Sequence, residues 1–232
     1  MKEKKRELRR ALSRLGYCSR KDAEFIIQEG RVTVDGKKVT NYLEPVFLSD
    51  DIRVDGKPIS TKEIEIYAFH KPQGVITTMD KFEERPKVAD FMPTHKYLFP
   101  VGRLDKASRG LLILTNDNDF ADYILAPKTK LQKTYRVQIK GRFHEPHIKE
   151  MERGIFIERV RYRADQVNIW KQNPRTTWLE IKLTEGKNRQ IRRMLEALRY
   201  DVLELIRIQI GNLKLGNLQP GEYKRIGREA IL

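Results

Sequence analysis

The stretch Lys133-Thr134-Tyr135-Arg136-Val137-Gln138-Ile139-Lys140 sets Tyr135, Val137 and Ile139 against Thr134, Arg136 and Gln138. Successive side chains of a strand point to opposite faces, so this period of two describes a half-buried β-strand. Residues 178–183 repeat it, with Leu179, Ile181 and Leu183 on the apolar side. Residues 65–70 and 111–115 are more continuously apolar and read as buried strands. Helices are predicted at Asn118–Leu125, at 145–152 and at 188–198, where Ile191, Met194, Leu195 and Leu198 form one apolar stripe. These elements lack the regular strand–helix repeat that builds a parallel sheet. The expected class is α+β, with a mostly antiparallel mixed sheet flanked by helices.

Toward the N-terminus the pattern changes. Leu8, Leu12 and Leu15 fall at helical spacing before Gly16, a plausible stop. Ser19 is a candidate N-cap for a second helix carrying Ala23, Ile26 and Ile27, which Gly30 ends. Two strand-and-turn units follow: residues 32–39 around Asp35-Gly36, and residues 51–59 around Asp55-Gly56. Asp-Gly is a signature of tight hairpins. Residues 60–65 are polar and free of turn glycines, a linker candidate. The predicted division is a small module at 1–62 and a larger domain at 63–232. A module of roughly 60 residues has a thin core and suits an attached binding unit better than an enzyme.

Across its 232 residues the chain carries 47 Lys and Arg against 32 Asp and Glu, a net charge of +15 and a pI near 9.8. That balance points to polyanions, nucleic acid before anionic membrane. The apolar run at 111–114 is far short of the roughly 20 residues that span a bilayer. Residues 1–10 are almost all charge, without the apolar stretch of a secretory signal, so a cytoplasmic protein with no membrane partner is expected. The lone Cys18 excludes an internal disulfide framework and a cysteine-rich zinc site. No phosphate-binding or dinucleotide glycine loop and no zinc-protease helix motif is present. His144 and His147 flank Pro146 without a clustered third ligand, which favours a surface turn over a metal pair. His70 and His95 are isolated, so a Ser–His–Asp device cannot be argued. The expected chemistry uses no metal and no cofactor, leaving carboxylates, tyrosines and arginines.

Three constellations could carry it. Gly102-Arg103-Leu104-Asp105 leads through Lys106, Ser108, Arg109 and Gly110 into the apolar 111–114. It sets one carboxylate among three cations, and neighbouring positive charge favours the ionised, nucleophilic form of a carboxylate. An ordinary surface Asp–Arg pair is the competing reading. Lys133 to Val137 places Tyr135 between Lys133 and Arg136, a flat stacking face beside phosphate-binding cations, or else a core tyrosine. Glu185-Gly186-Lys187-Asn188-Arg189-Gln190-Ile191-Arg192-Arg193-Met194 opens a helix with four cations in its first turns. A helix N-terminus already attracts anions, so cations there want an anion between them. An RNA phosphate or Asp105 could serve. A solvated basic face fits Arg193 better than Arg192.

Together with His70-Lys71-Pro72-Gln73-Gly74, Arg207-Ile208-Gln209-Ile210-Gly211 and residues 213–218, these strings resemble, in order and spacing, a bacterial enzyme family. It is the RsuA/RluB/RluE/RluF family of ribosomal RNA pseudouridine synthases. Ser19-Arg20-Lys21-Asp22-Ala23-Glu24 and Gly30-Arg31-Val32-Thr33-Val34-Asp35-Gly36 resemble the RNA-binding domain of the ribosomal S-four type, with Asp35 where Asn is common. The two resemblances cover nearly the whole chain. They imply a cofactor-free isomerase that breaks the glycosidic bond of a uridine, turns the base and rejoins it through carbon 5. They also imply a catalytic Asp105, a base-stacking Tyr135 that assists late proton removal, and Arg192 paired with Asp105. Arg103 would help hold the flipped nucleotide out, and Lys71, Lys187 and Arg189 would bind substrate. A base buried in a helix must be extruded, at a cost of a few kcal/mol offset by stacking and phosphate contacts.

In the N-terminal module Arg9, Arg10, Arg14, Arg20, Lys21 and Arg31 would grip RNA through its phosphates and shape. The implied partner is ribosomal RNA or a ribosome-assembly intermediate, and monomer is the default. Residues 178–181 look closer to the large-subunit enzymes. The alternatives are the same reaction on small-subunit RNA, or a non-catalytic RNA-binding or ribosome-assembly protein. A pure binder has no need of Asp105, Tyr135 and Arg192 together. A DNA-binding protein has only the charge in its favour.

Overall fold

The computed structural model describes residues 4–59, 63–80, 82–93 and 97–232. The candidate linker positions 60–62, the proposed boundary at 62 and His95 lie outside them. The chain forms two compact units. One comprises Met1–Glu65 with Pro93–Leu98 and Asn116–Asn118, and the other Ile66–Met92, Phe99–Thr115 and Asp119–Leu232.

In the first unit, helices Leu8–Arg14 and Arg20–Gln28 pack on a four-stranded antiparallel sheet. Its strand order is Lys37–Val39, Val32–Val34, Ile52–Val54, Lys57–Pro58. Leu8, Leu12, Ala23, Ile27, Val32 and Val54 share one core. Both helices stop for the same reason. Gly16 and Gly30 take positive φ, and the N–H groups of Tyr17 and Arg31 reach back to Leu12 and Ile26. That is the Schellman closure glycine favours. Ser19 caps the second helix, its hydroxyl accepting the Asp22 N–H at 3.1 Å. Asp35-Gly36 and Asp55-Gly56 have φ near 50° and 76° throughout, as a tight hairpin turn requires.

The second unit is built on a nine-stranded sheet. Its main path runs Gln166–Gln172, Thr176–Leu183, Lys133–Lys140, Val202–Ile210, Arg109–Thr115, Ile66–Lys71, Tyr223–Arg225, with Leu213–Lys214 and Phe99–Val101 paired at the side. Every pairing is antiparallel except one. Val202–Ile210 meets Arg109–Thr115 in parallel, over Ile206 opposite Arg109 and Arg207 opposite Gly110. This short seam joins two antiparallel blocks, each with its own core. Val137, Ile139, Leu179, Ile181, Met194 and Leu195 belong to one; Ile66, Ala68, Leu111, Ile113, Phe120 and Ile124 belong to the other. Lys133–Lys140 pairs on both edges, and its alternation is real, with Val137 and Ile139 fully buried.

Two expectations need correction. The helix predicted from 188 spans Gln190–Ala197, because Arg189 takes a left-handed φ of 50° before it. Lys187 and Arg189 therefore lie in the preceding loop, outside the first helical turns. The same alternation sends Arg136 away from Tyr135. Arg136 stacks on Trp170, 3.8 Å from the ring centroid, and pairs with Glu180 at 2.9 Å. His144 and His147 both engage the Tyr200 hydroxyl, the first through its backbone N–H at 3.0 Å and the second through its ring at 2.9 Å.

Candidate active site

The seam carries the site. Read across four adjacent strands, Tyr135 lies opposite Arg207, Arg207 opposite Gly110, and Gly110 opposite Lys71. A register shift between Thr134 and Tyr135 bulges the neighbouring strand and moves the pairing from Gln209 to Arg207. Bulges re-aim side chains next to functional sites. Gly110, at φ +114°, is required by contact as well as by conformation. A Cβ there would sit 2.3 Å from the Arg207 carbonyl oxygen and 2.6 Å from its nitrogen. Bare glycine lets the two backbones approach, and Arg207 Nε reaches the Leu111 carbonyl at 2.7 Å.

A cavity of about 750 Å³ opens above this row. Gly102 to Asp105 and Ser108 line one side, Lys133 and Tyr135 another, and Thr184 to Arg192 a third, with Arg207. Asp105 is half-buried, on the loop before Arg109–Thr115, and no hydrogen bond or ion pair among the described residues holds its carboxylate. The loop itself is fixed. Ser108 N–H bonds to the Asp105 carbonyl, and the Thr77 hydroxyl donates to the Leu104 carbonyl at 2.7 Å.

Arg192 comes from the first turn of the Gln190–Ala197 helix and is 7% exposed. Its Nη2 donates to the Ala107 carbonyl at 3.0 Å and faces the Ser108 hydroxyl at 3.4 Å. It therefore meets the Asp105 loop through its backbone, and the expected ion pair with the carboxylate is not formed in this state. Its Nε is buried without a partner. Burial pushes the guanidinium below its ordinary value, Arg189 adds to that, and Asp105 opposes it. Arg193, one position on, faces outward to Glu158 at 3.1 Å.

Lys71 lies behind the cavity instead of lining it. It is fully buried, its ammonium donating to the Pro72 and Val75 carbonyls at 2.9 and 2.5 Å. Burial pushes it down to about 8, Asp105 pulls it back up and Arg207 lowers it further. Arg103 is exposed at the cavity wall. Lys187 pairs with Glu185 at 2.5 Å, and Arg189 reaches Glu196 only at 3.4 Å. The residue that organises this loop is one that sequence reasoning missed. Gln190 is 3% exposed; its amide donates to Glu185 at 2.6 Å and Arg163 O at 2.8 Å, and its carbonyl accepts the Lys187 N–H. Its burial beside charged neighbours left no period to read.

In the N-terminal unit Arg9, Arg10 and Arg31 make surface ion pairs, to Glu7 and Glu24, to Glu7, and to Asp55 and Glu29 respectively. Arg14 and Lys21 lie on the two helices with Arg20.

The geometry is a sheet with one parallel seam and a cavity lined by Asp105, Tyr135 and the buried Arg192 and Arg207. Residues 65–197 match the family described as RNA pseudouridylate synthase, and residues 8–52 match the S4 domain. A Rickettsia prowazekii protein named an RNA pseudouridine synthase is 36% identical over 227 residues, covering 97% of this chain and 95% of that one. The Bacillus subtilis ribosomal large subunit pseudouridine synthase B is 34% identical over 222 residues, covering 94% and 91%. The crystal structure of a pseudouridylate synthase shares the fold, with a TM-score of 0.69 and 24% identity over 97% of both chains. The chain belongs to the RNA pseudouridine synthase family, whose members are isomerases, and it carries an S4 domain at its N-terminus.

Proposed function

We propose that this protein converts a uridine of large-subunit ribosomal RNA to pseudouridine, with Asp105 as the catalytic group. The observation that carries the assignment is the unengaged Asp105 carboxylate facing a cavity with Tyr135, beside buried Arg192. The large-subunit target is supported by relatives in Bacillus subtilis and Yersinia pestis, both named ribosomal large subunit pseudouridine synthase B, at 34% and 35% identity. In the reaction the N1–C1′ bond breaks, the base turns, and a C5–C1′ bond forms. The proton lost at C5 is matched by one gained at N1, so no oxidant, cofactor or water is consumed. Asp105 meets the sugar, Tyr135 stacks on the base and assists removal of the C5 proton, and Arg192 holds the Asp105 loop. Arg103, Lys187 and Arg189 border the opening and contact the extruded nucleotide.

The module boundary is placed at 62/63, consistent with an S4 match ending at residue 52 and a synthase match beginning at 65. In this reading Arg9, Arg10, Arg14, Arg20, Lys21 and Arg31 exchange surface partners for RNA phosphates and select the stem that presents the uridine. The test is pseudouridine mapping on ribosomal RNA treated with wild-type protein and with Asp105→Ala. One new modification with wild type, absent with the variant while RNA affinity is kept, is expected. The same modification made by purified Asp105→Ala protein removes the catalytic assignment.

A further inference from the structure

The cavity is lined by two carboxylates, Asp105 and Glu185, and by six cations: Arg103, Lys133, Lys187, Arg189, Arg192 and Arg207. Glu185 is already taken by Lys187 and Gln190. Asp105 acts on Lys71 and Arg192. Arg103 is exposed to solvent, and Arg189 has Glu196; two cations drawn out of water are left over, and they stand together. Arg207 is 6% exposed; its Nε has the Leu111 carbonyl, but its Nη2 is buried with no hydrogen-bond partner. Lys133 is half-buried two residues before Tyr135 on the same strand face, and no hydrogen bond or ion pair among the described residues holds its ammonium. Burial and the nearby Arg207 guanidinium both push Lys133 below its ordinary value, and no carboxylate opposes them.

An arginine cannot shed its charge, and two neighbouring cations drawn out of water are costly unless an anion joins them. A neutral acceptor such as a uracil carbonyl would satisfy one donor but leave the repulsion in place. A phosphodiester, with one negative charge shared over two non-bridging oxygens, can accept from both donors and relieve the repulsion between them. We infer that Lys133 and Arg207 form a phosphate-holding subsite beside Tyr135, which grips a backbone phosphate flanking the extruded nucleotide. The inference rests on the pseudouridine synthase reading and adds to it the grip that sets the sugar against Asp105. Lys133 and Arg207 are positioning residues, acting through the phosphate.

The test is a cycle between protein and RNA charge. A short RNA fragment that the wild-type protein modifies is prepared with native phosphates, or with one neutral methylphosphonate on the 5′ or the 3′ side of the target uridine. Single-turnover pseudouridine formation is then measured with wild type, Lys133→Gln and Arg207→Lys. With wild type, one of the two neutral linkages should slow the reaction about tenfold or more, the loss of a charge-assisted contact. With Lys133→Gln the native RNA should be slowed comparably, and the same neutral linkage should then cost little further. If neither neutral linkage slows the wild type, the subsite is wrong. It is equally wrong if Lys133→Gln and the neutral linkage each exact their full factor independently, which is the result expected of a contact to the base. Arg207→Lys is read only where its melting curve matches wild type; Lys133→Gln decides the question alone. Failure of wild type to modify any native RNA refutes the parent reading and the subsite with it, and is told apart by the native-phosphate control.

Discussion

The cations of the two units keep different company. In the N-terminal unit Arg9, Arg10 and Arg31 lie at the surface and meet carboxylates: Arg9 at 2.9 Å from Glu7, Arg10 at 3.0 Å from the same residue, Arg31 at 2.6 Å from Asp55. In the catalytic unit Lys71, Lys133, Arg192 and Arg207 are buried or half-buried, and none makes an ion pair among the described residues; backbone carbonyls hold three of them. Exposed pairs are worth about 0–1 kcal/mol each, so a phosphate can displace the carboxylate at little cost. Buried cations are pinned by groups that fix position without neutralising charge. One unit holds exchangeable charge at its surface, while the other keeps unanswered charge around one acid.

That contrast can be broken from its most sensitive point downward. Asp105→Asn keeps shape and removes the carboxylate that acts on both Lys71 and Arg192. Pseudouridine formation should fall at least about a thousandfold, with RNA affinity nearly unchanged. An equal loss in both, measured by single turnover and by filter binding, would make Asp105 a binding residue. Gly110→Ala forces a Cβ into the Arg207 backbone and strains a positive φ, so it should cost about 2 kcal/mol or more. In a chain of this size that is a melting point lower by roughly 4–8 °C, readable by calorimetry.

Lys71 offers a pH test. Its folded value, about 8, lies below the ordinary 10.5, so between those values the unfolded chain binds more protons. Stability then rises with pH across that window, and the penalty is complete below it. Urea midpoints of wild type relative to Lys71→Met should therefore improve from pH 8 to 10.5; a flat difference would place the ammonium in water. The smallest effect belongs to the first unit. Arg31→Ala should leave stability nearly unchanged, yet weaken RNA binding and reduce its salt slope by about one. An unchanged slope would take Arg31 off the RNA.

Much of the N-terminal unit was legible because its signals are local. The Ser19 cap, the stops at Gly16 and Gly30 and both Asp-Gly turns depend on two to five consecutive residues. The catalytic strands Lys133–Lys140, Thr176–Leu183 and Arg109–Thr115 were visible through their apolar pattern. Val202–Ile210 was not read as a strand. Its apolar residues fall on both faces, and Arg207 interrupts the run where a core residue would stand. At the site, the residues were recognisable from motif strings, but their partners were not. Arg192 bridging to Ala107, Lys71 turned inward to Val75 and Gln190 locking the 185–190 loop are contacts across long sequence separations or inside one irregular loop, where periodicity says nothing.

The parallel seam also bears on the order of folding. Arg207 and Leu111 are joined across 96 residues of chain, while each antiparallel block is held together by pairings of its own. Contacts that distant form late, since loop closure must precede them. The block of Lys133–Lys140 and Thr176–Leu183 can acquire its own core before Arg207 is seated over Gly110, whereas the other core is completed only with it, by Ile210, Leu213 and Ile231; until then Tyr135 and Asp105 belong to separate halves. Refolding followed by activity should lag refolding followed by backbone signal, leaving an interval in which the protein is folded but inert.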